Sequence, residues 1–410
     1  MIRRAVKKIK YFGWNLRTAL YVFFRKREAD IVLAGAWMGT KFADNSRFLF
    51  QYLNNNKEKL GLQKVIWVTR DETVNRKLRD HGYESYLCGT RESDYWHKTA
   101  GIHIICNAIY PQNHFEPDID THLSWGAKKI NLWHGVGLKC TGKTANNYGK
   151  KIHAGEEKSF FKKTIKKLIS SGGWESESYH LCTSPFMLEV NKRNFEYDEK
   201  LFFYSQYPRN CNCLRYMPEE VKVIEDLKKF QGIVIYLPTF RDQGKEYFHP
   251  LQDGEICSFL RENHYVWVDK PHPAETEFFS GKTDACHRYI LPAEFDINIL
   301  YENCTVMISD YSSAVFDGIL KDIPVIAYVP DLAEYKKGNN GLMMDFEQCL
   351  AGLTTRNTKG VLNMLEEVKS RCYFDGCRKK TYEDNKERFW DNRRPDYQEI
   401  WETIAKLGHA

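Results

Sequence analysis

His134 stands in "NLWHGVGLK", Asn131 to Lys139, between a bulky aromatic and a glycine-flanked turn. A histidine held at a strand's end can take a proton near neutral pH, whereas one packed in a core cannot, and the nine residues alone fit either reading. His272 lies in "WVDKPHP" beside Lys270, where two prolines keep the backbone extended and present both side chains outward. "YLPTFRD" presents Thr239, Arg241 and Asp242 at the end of another apolar run. An arginine and a lysine at neighbouring strand ends make a clamp for a diphosphate, or two surface charges. In "MISDYSSAVFDGILK", Ser309, Asp310, Ser312 and Ser313 fall between a strand and a helix. Free N–H groups and hydroxyls there attract phosphate, and the same residues serve equally as plain helix caps. Two histidines, one in each half of the chain and each near an anion-attracting motif, are the candidates for proton transfer.

These side chains need strand ends to hold them. "ADIVLAGAW", "KVIWVTR", "SYLCG", "IHIICNAI" and "KKINLW" read as buried strands, and "RFLFQYLNNN", "ETVNRKLRDHG" and "ESDYWHKTAG" between them read as helices. The alternation restarts after residue 210 with helix "PEEVKVIEDLKKF" and strands "GIVIYLP", "YVWVDKPHP", "RYILP", "TVMISD" and "PVIAYVP", with "DINILYENC" as a helix among them. A chain of 410 residues exceeds one core, and this pattern predicts two α/β domains with doubly wound parallel sheets, 31–210 and 211–375. The charged helical tail 376–410 has no strand of its own and is expected to pack back on the first domain. Such domains bind ligands at the carboxyl ends of their strands, and the motifs above fall there.

Composition narrows the class. Hydrophobic residues at 42% describe a folded chain, and a net charge of +6 is mild, so the placement of charge matters more than its sum. Twelve cysteines without a CxxC pair point to free thiols in a reducing compartment. The nearest metal signal, Cys211 and Cys213 with distant Cys372 and Cys377, is weaker than that reading, and no metal site is expected. No apolar run reaches 18 residues. Residues 1–30 instead form a basic amphipathic helix: nine Lys and Arg with no acid up to Arg27, and Ile2, Val6, Ile9, Leu16, Leu20 and Phe23 at helical spacing. Arg17 interrupts any secretory signal. A second basic, aromatic segment occupies 150–170. Together they predict peripheral attachment to an anionic membrane surface, on its cytoplasmic face; nothing resembles a nucleic-acid module.

Taken together, "NLWHGVGLK", "YPRN" at Tyr207 to Asn210, "LPTFRD", "KPHP" and "ISDYSSAVFD…PVIAYVPDLAEY" resemble the CDP-glycerol glycerophosphotransferase family of teichoic acid and capsule synthesis. "DNSRFLFQYL" is similar to that family's early Asp-Asn stretch, so the resemblance runs from about Ala34 to about Tyr335. It implies a GT-B fold, two Rossmann-like domains facing a central cleft, with the donor on the C-terminal one. It also implies transfer of glycerol phosphate from CDP-glycerol to a hydroxyl of a membrane-linked acceptor, releasing CMP, without a cofactor. By position, His134 looks like the general base and His272 a donor-side group. Arg241, Lys270, Ser309, Ser312 and Ser313, with Thr239 and Asp310 in the same motifs, would hold the diphosphate. Asp317 and Glu334 would reach ribose or donor hydroxyls, and Gly135, Lys139, Arg209 and Asn210 the acceptor. Val136 and Gly137 replace the family's Thr-Pro, Cys211 its aspartate and Phe240 its tryptophan, changes that tune acceptor choice. A CDP-ribitol donor, a GT-B sugar transferase and a non-enzymatic basic scaffold are the alternatives, and either one-unit priming or polymerisation fits.

Overall fold

Strands buried at every position, whichever way successive side chains point, belong to a parallel sheet covered on both faces. β1 (Glu28–Ala34) ends in four such residues; β2 (Lys64–Thr69), β3 (Glu84–Leu87), β4 (Ala100–Ile105), β5 (Lys128–Asn131), β6 (Ser178–Cys182) and β7 (Phe202–Tyr204) complete the first sheet. A computed structural model gives its order as β3-β2-β1-β4-β5-β6-β7, with every pairing parallel. It describes residues 2–107, 116–137, 139–140, 172, 174–195, 197–239, 249–270, 286–338 and 341–408.

The second sheet contains β8 (Gly232–Leu237), β9 (Tyr265–Asp269), β10 (Arg288–Ile290), β11 (Val306–Ser309), β12 (Val325–Tyr328) and β13 (Thr354–Thr355). Its order is β10-β9-β8-β11-β12-β13, again all parallel. Each sheet reverses winding once, between β1 and β4 and between β8 and β11, which opens a crevice at those carboxyl ends. The two sheets share one continuous apolar core.

Three strands were absent from the sequence reading, among them the two-residue β13. β6, "SYHLC", carries a buried His180 and Ser178 in place of an apolar run, and three-residue β7 is too short to show a period. The expected helix at "DINILYENC" is a run of 3-10 turns, Ile297–Asn303, opened by the Asp296 side chain.

The ends of the chain tie the sheets together. In helix Arg378–Trp390, the Tyr382 hydroxyl donates to Ile323 O at 2.6 Å on the second domain. At its far end, Phe389 O and Arg388 O accept from the Thr183 and Ser184 hydroxyls of the first. The tail thus straddles both domains. Helix Tyr397–Lys406 stacks Tyr397 on Tyr52 with ring centroids 5.1 Å apart. At the other end, helix Ile2–Phe24 buries Asn15 and Thr18 and sets the Trp14 ring 4.7 Å from that of His122. Just after it, the Arg27 guanidinium donates to the carbonyls of Trp125, His97, Ala100 and Leu123 at 2.6 to 2.7 Å.

Candidate functional site

At the β1–β4 crevice the backbone is held in conformations that side chains resist. Trp37, Met38, Asp44 and Trp133 all have positive φ, between 45° and 63°. Each such residue costs about 1–3 kcal/mol and persists only where surrounding bonds hold it. Asp118 supplies some of them, accepting from Met38 N at 2.8 Å and from Cys106 N and Asn107 N. Asn131 Oδ1 accepts from Trp133 N at 2.9 Å, and Trp133 O accepts from Asn45 Nδ2 at 2.8 Å. Asp44 accepts from Trp37 Nε1 and donates its own N–H to Asp296 of the second domain at 2.9 Å.

These bonds aim His134. Its ring lies 4.6 Å from that of Trp133 and 6.1 Å from that of Trp37. Nδ1 is 3.3 Å from the carbonyl oxygen of Cys106; a carbonyl only accepts, so Nδ1 carries the proton and Nε2 is bare. Burial, opposed by Asp44 and helped by Arg209 and Lys139, pushes the pKa below the usual histidine value. The ring is therefore neutral at pH 7, as a base must be.

Gly135 follows with φ +153°, and a Cβ there would stand 2.7 Å from Ser313 Oγ of the second domain. Glycine lets the two domains meet at this point. Between them is a cavity of about 410 Å³. Trp37, His134, Gly135 and Lys139 line one wall, and Thr239, Ser312 and Ser313 line the other. Lys139 reaches across to Thr239 Oγ1 at 3.4 Å and its backbone bridges to Leu342. A larger cavity, about 690 Å³, lies under the N-terminal helix around Trp14, Arg17, Arg70 and His122, away from His134.

Several expected ligand residues are occupied with each other. Ser309 is fully buried and its hydroxyl donates to Leu237 O at 2.7 Å, bracing β11 against β8. Asp310 accepts Thr239 N–H with both oxygens, at 2.9 and 3.0 Å. Ser312 accepts from Ala314 N at 3.3 Å, the capping role, while also facing the cavity. Asp317, expected at ribose or donor hydroxyls, is buried against Arg209 Nη2 at 2.7 Å. Arg209 and Asn210, expected on the acceptor side, are buried too: Arg209 binds Asp44, Asp317 and His134 O, and Asn210 O accepts from Lys321 Nζ. Burial of a guanidinium demands such partners, which the motif alone could not name. Glu334 is exposed on helix Leu332–Gly338. Lys270 donates to Pro292 O and Ala293 O. Arg241, Asp242, His272, Phe240 and the basic segment 150–170 lie outside the described residues.

Sequence reasoning passed over Trp37, Lys41 and Asp118. Trp37 and Lys41 fall in the segment directly after β1, where crevice residues must fall, and Asp118 in the one after β4. The cysteines are free thiols. Among the described residues, Cys88, His97 and Asp120 bring metal-ligating atoms within 4.8 Å of one another. Two of these are already engaged: Asp120 pairs with Arg70 at 2.9 Å, and His97 Nε2 accepts from Asp120 N at 3.1 Å.

The sequence profile described as CDP-Glycerol:Poly(glycerophosphate) glycerophosphotransferase matches residues 18–401. A teichoic acid poly(glycerol phosphate) polymerase of Bacillus spizizenii is 27% identical over 353 residues, 84% of this chain and 85% of that one. A teichoic acid glycerol-phosphate transferase of Staphylococcus aureus is 23% identical over 385 residues, 90% and 91% of the two chains. The solved structure of the wall teichoic acid polymerase TagF superposes with a TM-score of 0.67 at 17% identity, covering 99% of this chain and 98% of that one. The likeness is one of fold, and the fold is GT-B.

Proposed function

Because the chain belongs to the CDP-glycerol:poly(glycerophosphate) glycerophosphotransferase family, we propose that His134 and the cavity beside it carry out that family's reaction: transfer of glycerol phosphate from CDP-glycerol to an acceptor hydroxyl in teichoic-acid-type synthesis. The supporting observation is a neutral His134, its Nδ1 tied to Cys106 O, lining with Thr239, Ser312 and Ser313 a cavity built from both domains. His134 takes the proton of the acceptor hydroxyl as its oxygen attacks the β-phosphorus. The P–O bond to the α-phosphate breaks and CMP leaves. Ser312, Ser313, Thr239 and Lys270, with Arg241 and His272 from motif position, stabilise the charge that gathers on the departing phosphate. Asp317, Arg209 and Ser309 act behind this surface, holding it in place.

No cofactor enters this scheme, since side-chain cations and hydroxyls carry the charge. Among the described residues no helix is long and apolar enough to cross a membrane. The N-terminal helix exposes Leu16, Leu20, Phe23 and Phe24 beside Arg17, Arg25 and Lys26, and in this reading it rests on an anionic membrane surface at the cytoplasmic side.

The test is CMP release from CDP-glycerol with glycerol-phosphate-primed and unprimed acceptors, with mass spectrometry of the products. Acceptor-dependent CMP is expected, undiminished by EDTA. CMP from CDP-ribitol and none from CDP-glycerol would reassign the donor, and loss of activity with EDTA would overturn the metal-free scheme.

A further inference from the structure

Two lysines that share no sequence motif meet between the domains. Lys41 follows the strained Trp37–Gly39 turn of the first domain; Lys270 comes directly after β9 of the second. Lys41 Nζ donates to Ala293 O at 2.8 Å, and Lys270 Nζ donates to that same oxygen at 2.9 Å. The two ammonium groups therefore face each other across one carbonyl.

Two like charges brought together in half-buried positions need a reason. No carboxylate among the described residues lies within ion-pair distance of either. Asp296 is nearby, but its oxygens accept from Asp44 N, Asn298 N and Asn298 Nδ2, and Arg47 is 3.8 Å away. Glu294 is exposed. Lys270 is pushed down to about 7, by burial first and then by Lys41, with the more distant Asp296 and Glu294 opposing only in part. A neutral carbonyl does not balance that charge, whereas an oxyanion does.

The pair is also close to the base. Lys41 Nζ stands 5.7 Å over the Trp37 ring, whose other neighbour is the His134 ring at 6.1 Å. An anion bound there is one indole from the reacting hydroxyl.

We infer that Lys41 and Lys270 form a phosphate site shared by the two domains, in which one phosphate oxyanion replaces the Ala293 carbonyl as the common acceptor of both ammonium groups. The site adds Lys41 to the machinery and makes phosphate binding a contact that draws the domains together. Which phosphate it takes rests on the phosphotransferase reading: the donor diphosphate or a phosphodiester of the acceptor.

The experiment uses the full chain and its Lys41→Met and Lys41→Arg variants. Lys41→Met is expected to raise a KM by about tenfold, with kcat nearly kept and Lys41→Arg recovering most of the loss. A raised KM for CDP-glycerol with every acceptor assigns the site to the donor. A raised KM confined to glycerol-phosphate-primed acceptors assigns it to the acceptor. A second readout needs no turnover: acylation of Lys41 and Lys270 at pH 7, followed by mass spectrometry, should slow with inorganic phosphate or CDP-glycerol and not with chloride at equal ionic strength. KM values within twofold of wild type together with unprotected lysines would overturn the site. If wild type releases no CMP, the transferase reading fails, while phosphate protection still reports on the lysine pair.

Discussion

Arg209 Nη1 donates to the backbone carbonyl of His134 at 2.7 Å, so the candidate base is held from behind by a residue of the segment joining the two domains. The same guanidinium binds Asp44 of the first domain and Asp317 of the second, each at 2.7 Å. One planar fork thus fixes the position of His134 relative to the wall that carries Ser312 and Ser313.

Arg209→Ala leaves Asp44 and Asp317 buried and unpaired, and should cost about 3–5 kcal/mol in chemical denaturation. Arg209→Lys keeps the charge without the fork. It should recover part of the stability while kcat/KM stays down by about a hundredfold, because His134 is no longer aimed. Normal turnover in the lysine variant would show that the fork does not position the base.

His134→Ala should lower CMP release by about 10²–10⁴-fold, the usual share of a general base. Calorimetric affinity for CDP-glycerol should hardly change, since in the proposed reaction the ring acts on the acceptor hydroxyl. Equal losses of binding and rate would move His134 to the donor.

The pH profile should have two unequal limbs. His134 is held below the usual histidine value, so kcat should persist on the acid side past the ordinary histidine range before protonation abolishes it. Lys270, faced by Lys41, Asp296 and Glu294, loses its proton near 7 in the empty site. Anion binding favours the charged form, so the KM of the phosphate-bearing substrate should climb as pH rises above about 7. Steady-state kinetics between pH 5 and 9 measures both, and a flat KM would remove Lys270 from binding.

Gly135→Ala meets two penalties, a φ of +153° and a contact of 2.7 Å with Ser313 Oγ. A loss of about 1–3 kcal/mol in stability is expected, with activity reduced as the domains are held apart. Adding Ser313→Ala should relieve the steric part alone, and a double-mutant cycle separates it from the backbone part.

Leu20, Phe23 and Phe24 are 52%, 82% and 80% exposed, so replacing all three with serine should leave the fold intact. Binding to anionic vesicles, read by co-sedimentation, should weaken by about tenfold or more. Transfer to a soluble acceptor should be unchanged. Undiminished sedimentation would place membrane contact elsewhere.

The alternation of apolar runs and amphipathic helices was enough to specify two parallel sheets, and with them the strand-end positions of His134, Thr239, Lys270 and Ser312. Those features depend on periods of two to four residues and on short-range rules for strand ends, which a single chain displays directly. The partnerships were not legible. Arg209 and Asp317 are 108 residues apart, Thr239 and Asp310 are 71 apart, and Lys41 meets the carbonyl of Ala293 across 252. No local signal announces that Ser309 braces β11 against β8 or that Asp317 pairs with Arg209. Strand order brings these side chains together, and burial then decides their roles: a charge removed from water must be met by another group, and only the packed chain determines which one is within reach.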